Sequence, residues 1–290
     1  MSAVAPPAAT TPPRLAAFTR ALFASRSSRI AGLILIVVLI VTATGGLLAP
    51  ADPLTQDAGR SFAAPSLHHL LGTDYLGRDN LSRLIAGTQA TVASALAIVA
   101  IGVVAGAVPG VGSVFLRPWA EFSALRTVDA MLSLPPIILA IAVAGLFSNG
   151  ELSAVIAVGI LLAPRFFRIA RADALGFARS QYVEAAVLMG ASRVRLVRTH
   201  IWAKVLPTIA VTSAMSVGYA VLAVASLSFL GLGVQPPAPT WGSMLAISVQ
   251  YLYQSTIDPV WPGVAIILTV WACNALADAI GDATGGRRAG

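Results

Sequence analysis

The sequence predicts an all-α polytopic membrane protein with six transmembrane helices. Hydrophobic residues make up 57% of its 290 residues and charged residues only 11%, whereas soluble proteins carry about 25% charged residues. The mean hydropathy is +0.82. The charges form short clusters between long uncharged runs and are too few to coat a soluble domain of this size. The composition therefore argues against a cytosolic enzyme and against a disordered chain.

Six runs are long enough to cross the hydrocarbon core, which takes about 20 mostly apolar residues of helix. They are residues 30–48, a run within 84–116 that starts near 88, 130–147, 152–169, 205–230 and 259–277. The fourth run carries Arg165, Arg168 and Arg171, which we expect to snorkel at one end of the span. Asp258 followed by Pro259 is typical of a helix start and predicts where the sixth span begins.

One further segment, residues 241–257, is apolar enough to suggest a seventh span. It follows the stiff proline-rich break at residues 235–239. Its polar side chains are Ser243, Ser248, Gln250, Tyr251, Tyr253 and Gln254. We therefore interpret it as a short interfacial or re-entrant helix.

The basic residues predict the orientation, because Lys and Arg favour cytoplasmic loops. With six spans and a cytoplasmic N-terminus, 16 of the 19 basic residues face the cytoplasm, and only Arg60, Arg78 and Arg83 lie outside. A seventh span would place Arg287 and Arg288 outside. We therefore expect a multi-pass membrane protein with both termini in the cytoplasm. The net charge of +7 then reflects topology rather than a nucleic-acid partner.

The predicted organisation follows these spans. A cytoplasmic tail (residues 1–29) precedes the first span (30–48) and an extracytoplasmic loop (49–87). A core with five spans (88–285) contains a cytoplasmic loop at about 179–207, and a short cytoplasmic tail (286–290) follows. The first span is similar to a secretory signal, but its apolar run of 19 residues exceeds the roughly 7–15 of such signals, which favours an uncleaved span.

The motifs of common catalytic sites are absent. A P-loop needs Gly-Lys followed by Ser or Thr, and the single lysine, Lys204, follows an alanine. His68 and His69 are adjacent, and His200 is predicted on the other side of the membrane, so no metal site is expected. Cys273 is the single cysteine; it excludes an intrachain disulfide and is expected to be a packed thiol.

The most informative segment is the basic one at residues 165–207. Residues 181–189 can form a short helix in which Tyr182, Ala185, Ala186 and Met189 share one face. Glu184 lies near the positive end of that helix, and Gly190 suits the left-handed position that ends a helix. The segment is therefore either a rigid helical knob that protrudes from the membrane domain or a loop that lies on anionic lipid through its arginines.

The same residues resemble the EAA loop of ABC importer permeases, which in that family docks into a cleft of a separate ATPase subunit. The coupling loop implied by the resemblance comprises Tyr182, Glu184, Ala185, Ala186, Gly190, Ala191, Ile201, Leu206 and Pro207. The family often has an additional Leu-Pro directly after the isoleucine, where this chain has Trp202-Ala203. This difference in sequence bears on how closely the loop would fit the ATPase as it does in the family.

Two further stretches narrow the resemblance to the second permease of dipeptide and oligopeptide importers. Residues 69–79 (HLLGTDYLGRD), followed by LSR, look like the outer loop of that subunit, and residues 229–242 (FLGLGVQPPAPTWG) resemble its signature after the fifth span. The matched positions are Gly72, Thr73, Asp74, Gly77, Arg78 and Asp79 in the outer loop, and Gly231, Gly233, Gln235, Pro236, Pro237, Trp241 and Gly242 after the span. We expect the outer-loop residues to build a compact turn that leads into the second span, with a structural role rather than direct contact with a binding protein.

The resemblance covers about residues 20–285 and implies the fold of a type I ABC importer permease located in the bacterial inner membrane. It implies a homologous second permease, two ABC ATPases and an extracytoplasmic solute-binding protein, with peptides as substrate. ATP and Mg²⁺ would be bound by the ATPases, so this chain would hold no cofactor and would not be an enzyme. ATP binding would draw the two coupling loops together and open the membrane cavity outward.

Three alternatives remain open at this point. A permease of the same fold for nickel, another metal chelate or glutathione would share these motifs. A membrane-embedded enzyme would need nucleophile or metal motifs, which the sequence lacks. A secondary transporter is expected to carry ionisable groups at mid-membrane, whereas Asp129 and Asp278 lie near helix ends.

Overall fold

The computed structural model describes residues 25–133, 150–178 and 192–285, and the single positions 135, 138, 142, 180, 181, 183 and 189. Its helices are α1 (Arg26–Thr44), α2 (Asn80–Gly102), α3 (Val108–Ser113), α4 (Pro118–Leu132), α5 (Glu151–Ala178), α6 (Arg193–Leu196), α7 (Trp202–Phe229), α8 (Trp241–Gln250) and α9 (Val260–Gly285). The π-helical turns Val103–Ala107 and Val197–Ile201 join α2 to α3 and α6 to α7. The described part contains no β-strand, only an isolated bridge between Thr73 and Asp79.

Five described stretches are long and apolar enough to cross a membrane: Arg26–Leu48, Asn80–Ser113, Glu151–Ala178, Trp202–Phe229 and Val260–Asp282. They confirm five of the predicted spans. The third predicted span, residues 130–147, lies mostly outside the described residues.

Two helices extend beyond the runs that were predicted to cross the membrane. The second span was expected to start near residue 88, but α2 starts at Asn80, because the Asp79 carboxylate caps it. The fourth run was expected to cover residues 152–169, but α5 continues to Ala178. Arg165 therefore lies inside this helix rather than at its end.

Helices α2, α3 and α5 pack closely because glycines line their contact. Gly102, Gly106 and Gly110 recur every four residues, the spacing that lets membrane helices approach closely. A Cβ on Gly106 would lie 2.1 Å from the carbonyl oxygen of Ala163, and one on Gly110 would lie 2.6 Å from that of Phe167. This glycine pattern was missed among the sequence predictions, although the four-residue spacing is visible in the sequence.

The α2–α3 segment and α5 run in the same direction. Ser94, in the second half of α2, donates a hydrogen bond to the Glu151 carboxylate at the start of α5. The Arg171 guanidinium donates to the Ser113 hydroxyl, 2.8 Å away. About 30 Å of helix axis separates these contacts at ~1.5 Å per residue, so the two elements lie side by side over that length.

Helix α1 lies at the edge of this bundle. It packs against α9 and α2, and within it only Ser28 and Ala31 are buried. Leu33 and Ile36 are 63% and 56% exposed. An apolar helix that leaves most of its surface uncovered is suited to lipid contact.

Helix α8 confirms the expectation of a short helix between the last two spans. Its ten residues extend about 15 Å, half the distance needed to cross the hydrocarbon core. A capping box between Thr240 and Ser243 fixes its first turn. Helix α9 starts where Asp258-Pro259 predicted, since the backbone N–H of Gly263 donates to the Pro259 carbonyl (3.2 Å).

Candidate functional site

The outer-loop motif forms the predicted turn immediately before α2. The Asp74 Oδ1 accepts hydrogen bonds from the backbone N–H groups of Leu76 (2.9 Å) and Arg78 (3.0 Å). The backbone N–H of Asp74 donates to the Arg78 carbonyl at 3.0 Å, and that of Gly77 donates to the Asp74 carbonyl at 2.9 Å. One aspartate thus organises the whole turn.

The two glycines of the motif permit this turn. Gly77 has φ +74°, and a Cβ there would lie 1.8 Å from the Asp57 carbonyl oxygen. Gly72 has φ +73°, and its Cβ would lie 2.6 Å from the Ala63 carbonyl oxygen. A side chain at either position would therefore meet both backbone strain and a steric clash.

A buried charge cluster stabilises the turn. The Arg78 guanidinium contacts Asp74 Oδ2 through Nε and a terminal nitrogen, both at 2.7 Å. The Arg83 Nε lies 3.4 Å from the same oxygen, and Arg83 also donates to the Pro53 carbonyl at 3.1 Å. The three side chains are at most 12% exposed. These charges bind one another and are not presented to an outside partner.

Asp79 joins the turn to α2. Its Oδ2 accepts hydrogen bonds from the backbone N–H and the hydroxyl of Ser82, both at 2.7 Å, which caps the helix. Its Oδ1 lies 3.0 Å from Nδ1 of His69. The hydroxyl of Thr73 donates to the Arg60 carbonyl, so Thr73, the remaining residue of the motif, also makes its contact within the loop.

The turn is tied to the segment between α8 and α9. The Asn80 side chain donates to Asp258 Oδ1 at 3.1 Å, and the rings of Tyr75 and Tyr251 stack with centroids 4.9 Å apart. Burial raises the pKa of Asp258 above its ordinary value, although hydrogen bonds from Ser255 and Asn80 oppose the increase. The two loops at this end of the bundle therefore form one packed unit.

The motif after α7 forms a tight turn. Gly231 has φ +78°, the left-handed conformation that favours glycine. The Gln235 amide donates to the carbonyls of Gly231 and Gly233, both at 3.1 Å. The peptide bond between Pro236 and Pro237 is cis. This turn connects the end of α7 to the start of α8.

Trp241 and Gly242 fix α8 between α2 and α7. Trp241 is 2% exposed; its backbone N–H donates to the Thr91 hydroxyl at 3.1 Å and its indole N–H to the Leu84 carbonyl at 3.4 Å. A Cβ on Gly242 would lie 2.1 Å from the Ala225 carbonyl oxygen. This second motif is therefore also a packing junction in the structure.

The coupling-loop motif is described only in its last part. Tyr182, Glu184, Ala185, Ala186, Gly190 and Ala191 lie outside the described residues. Ile201 is fully buried in the π-helical turn that joins α6 to α7, whereas Leu206 is 47% exposed and Pro207 lies inside α7. The end of the motif is thus continuous with a predicted span.

An ion-pair cluster at the far end of α5 was missed. Arg171 is 8% exposed and donates to the Glu121 carboxylate of α4 as well as to Ser113. Arg168 pairs with Asp129 of α4. The expectation that these arginines snorkel was wrong for Arg171, because α4 supplies it with a carboxylate. The sequence signal was weak, since the partner lies 50 residues away.

Within the described ranges, no three or more His, Cys, Asp or Glu residues are grouped to hold a metal ion. The chemistry of the sites is therefore that of buried ion pairs, capped helices and backbone turns. These features hold helices together at both ends of the bundle.

The comparisons with known proteins place these features in a family. Residues 98–288 match the family model described as "Binding-protein-dependent transport system inner membrane component". The chain belongs to this family. It is a permease subunit of an ABC importer and, like its family, is a transport component of the inner membrane rather than a catalytic subunit.

Named relatives cover nearly the whole permease. It is 35% identical to an Escherichia coli K12 protein named as a D,D-dipeptide transport system permease, over 86% of this chain and 84% of that protein. It is 35% identical to a glutathione transport system permease of Pectobacterium atrosepticum, over 87% and 84%. It is 33% identical to a Brucella suis protein named as a peptide transport system permease, over 91% and 88%.

A solved structure supports the fold. The permease matches a chain of the MetNI methionine ABC transporter in an inward-facing conformation with a TM-score of 0.54 and 21% identity, covering 69% of this chain and 96% of that chain. The all-α fold of a type I importer permease, expected from the sequence, is thereby confirmed.

Proposed function

We propose that this permease pairs with a homologous second permease to form the translocation path of a peptide importer. Two ABC ATPases and an extracytoplasmic solute-binding protein complete the complex. The observation that carries the proposal is the 33–35% identity, over 86–91% of the chain, to permeases named for dipeptide, glutathione and peptide transport. The family description supports dependence on a binding protein.

The parallel course of α2 and α5 supports six spans. Because both helices run from the same end of the bundle to the other, the chain must return across the bilayer between Ser113 and Glu151. An even number of crossings leaves both termini on one side, and the excess of basic residues places that side in the cytoplasm. A reporter that is active only in the cytoplasm, fused after Gly290, should be active; inactivity would contradict this topology.

The coupling loop at residues 179–207 then faces the ATPases. Ile201, buried at the join of α6 and α7, supports a mechanical link, because a displacement of the loop would be passed to α7 through continuous helix. ATP and Mg²⁺ bind to the ATPases, and this chain contributes docking and no cofactor site. Closure of the ATPases would thus shift the population of the permease towards its outward-open state.

Reconstitution tests this function. Proteoliposomes that contain both permeases, both ATPases and the binding protein should take up a labelled dipeptide only when ATP is enclosed with the ATPases. Omission of the ATPases or of the binding protein should abolish uptake. Uptake driven by an ion gradient without ATP would overturn the proposal and favour a secondary transporter.

Glutathione is a second candidate substrate, favoured by the 35% identity to a glutathione permease. It is itself a small peptide, so the same translocation path could serve it. Parallel uptake of labelled glutathione and a labelled dipeptide decides between them: the physiological substrate should saturate at the lower concentration.

A further inference from the structure

Three arginines lie one helical turn apart on α5, and α4 supplies carboxylates to two of them. Arg171 binds Glu121 and Arg168 binds Asp129. Among the residues that the structure describes, Arg165 has no carboxylate within ion-pair distance. Its guanidinium therefore differs from those of Arg168 and Arg171, which are both paired with carboxylates.

Arg165 lies about midway along α5, the helix that forms the candidate span Glu151–Ala178. It precedes Arg171 by about 9 Å and Arg168 by about 5 Å along the helix axis at ~1.5 Å per residue. A charged side chain within a span normally pairs or faces a water-filled cavity, and such residues mark substrate pathways.

The structure contains a cavity beside this arginine. The cavity has a volume of about 200 Å³ and lies between α4, α5 and α7; Arg165, Leu132, Leu162 and Tyr219 are among its lining residues. The Tyr219 hydroxyl is a second hydrogen-bond donor at this site. The peripheral helix α1 packs on α2 and α9, and no described residue of these helices lines the cavity, so the cavity is separate from the α1 edge.

The described carboxylates nearest in sequence do not reach Arg165. Glu121 and Asp129 are paired with Arg171 and Arg168, and Asp173 is eight positions further along α5, about 12 Å away along the axis. The Arg165 side chain is exposed, so an anion from another molecule can reach its guanidinium.

We propose that Arg165 and Tyr219 bind the C-terminal carboxylate of the peptide in transit. The inference rests on the proposed peptide-import function and deepens it. A carboxylate suits a guanidinium, which can donate two parallel hydrogen bonds to it. The C-terminal carboxylate is common to all unmodified peptides, so recognition at this point is compatible with a path that accepts many side chains.

The test compares peptides that differ only at the C-terminus. Uptake of a labelled tripeptide and of its C-terminal amide is measured in proteoliposomes for the wild type, Arg165→Gln, Arg165→Lys and Tyr219→Phe. Arg126→Gln, an exposed arginine on α4, and Tyr253→Phe, a fully exposed tyrosine, serve as matched controls. Each rate is divided by the wild-type rate for the same peptide, which cancels the preference of the binding protein.

We expect Arg165→Gln to lower kcat/KM for the free peptide about tenfold, the scale of one charge-assisted contact, and for the amide less than about twofold. Arg165→Lys should be intermediate, and Tyr219→Phe should be weaker with the same selectivity. The controls should leave both peptides unchanged. Equal losses for both peptides, or no loss, would overturn the proposal.

Two additions separate the remaining outcomes. Phosphate groups of anionic lipid offer the same chemistry, so the assay is repeated in zwitterionic and anionic liposomes; an Arg165→Gln defect that follows the lipid and not the peptide terminus overturns the substrate assignment. Photocrosslinking of a benzophenone-labelled tripeptide to the assembled complex needs no turnover. A wild-type complex that neither imports nor captures the peptide overturns peptide import, whereas capture that is equal in wild type and Arg165→Gln overturns only the carboxylate site.

Discussion

Replacement of Glu121 by glutamine removes the charged partner of the most buried arginine of α5. The side chains of Arg171 and Glu121 are 10% and 35% exposed. After the change, the Ser113 hydroxyl, 2.8 Å from the guanidinium, is the remaining described acceptor besides the new amide oxygen. Glutamine has nearly the same volume, so the substitution tests charge and not packing.

The burial of the pair sets the expected magnitude. Removing one partner of a buried ion pair costs about 3–5 kcal/mol, whereas an exposed pair contributes about 0–1 kcal/mol. Because Glu121 is partly exposed and glutamine can still accept a hydrogen bond, we expect a loss of about 2 kcal/mol for Glu121→Gln. The neighbouring pair, Arg168 with Asp129, is 55% and 43% exposed, so Asp129→Asn should cost less than about 1 kcal/mol.

The free energy of unfolding of the purified permease, titrated with SDS in mixed micelles, measures both changes under one condition. The two variants make a matched pair, since each replaces a carboxylate on α4 by its amide. If both variants lose the same free energy, or if Asp129→Asn loses more, the argument from burial is refuted.

The remaining predictions address the other sites. Gly106→Ala should lower the thermal stability of the permease strongly, because its Cβ would lie 2.1 Å from a backbone oxygen, whereas Gly112→Ala, with nothing within 4 Å, should not; equal melting temperatures would contradict the close packing of α2–α3 on α5. Asp258→Asn should raise the melting temperature at pH 7 and lose this gain towards pH 4, because the raised pKa means that ionisation opposes folding as the pH rises; a gain that does not vary with pH would exclude this cause. Gly190→Asp and Glu184→Lys should abolish ATP-driven uptake, although the variants reach the membrane in normal amounts. Binding of solute to the binding protein should be unchanged. Normal uptake by Gly190→Asp would contradict the assignment of the coupling loop.

The apolar runs predicted five described spans because the bilayer requires an uncharged helix of a certain length. The ends of these helices were harder to predict, because polar contacts decide them. α2 extends back to Asn80 since Asp79 caps it and Asp74 binds Arg83. α5 extends past its arginines, and a different helix, α4, carries the carboxylates that pair with Arg168 and Arg171. Hydropathy contains no information about such pairings.

In the candidate sites, contacts between residues close in sequence were predictable, and contacts between distant residues were not. The turn around Asp74 was predictable, because Gly72 and Gly77 frame it and the interacting residues are close in sequence. The contacts of Asn80 with Asp258 and of Tyr75 with Tyr251 join positions about 180 residues apart, which the motifs alone do not pair.

The outer-loop motif shows how a strong sequence signature can specify folding rather than contact with a partner. Its carboxylates and guanidiniums are engaged within the loop: Asp74 binds Arg78 and Arg83, and Asp79 caps α2. A charge that is already paired and buried has little capacity left to bind another protein, because exposing it would cost the pairing that keeps the turn closed. Contact with the binding protein would therefore involve the outward surface that this turn supports, and the motif would act by holding that surface in place.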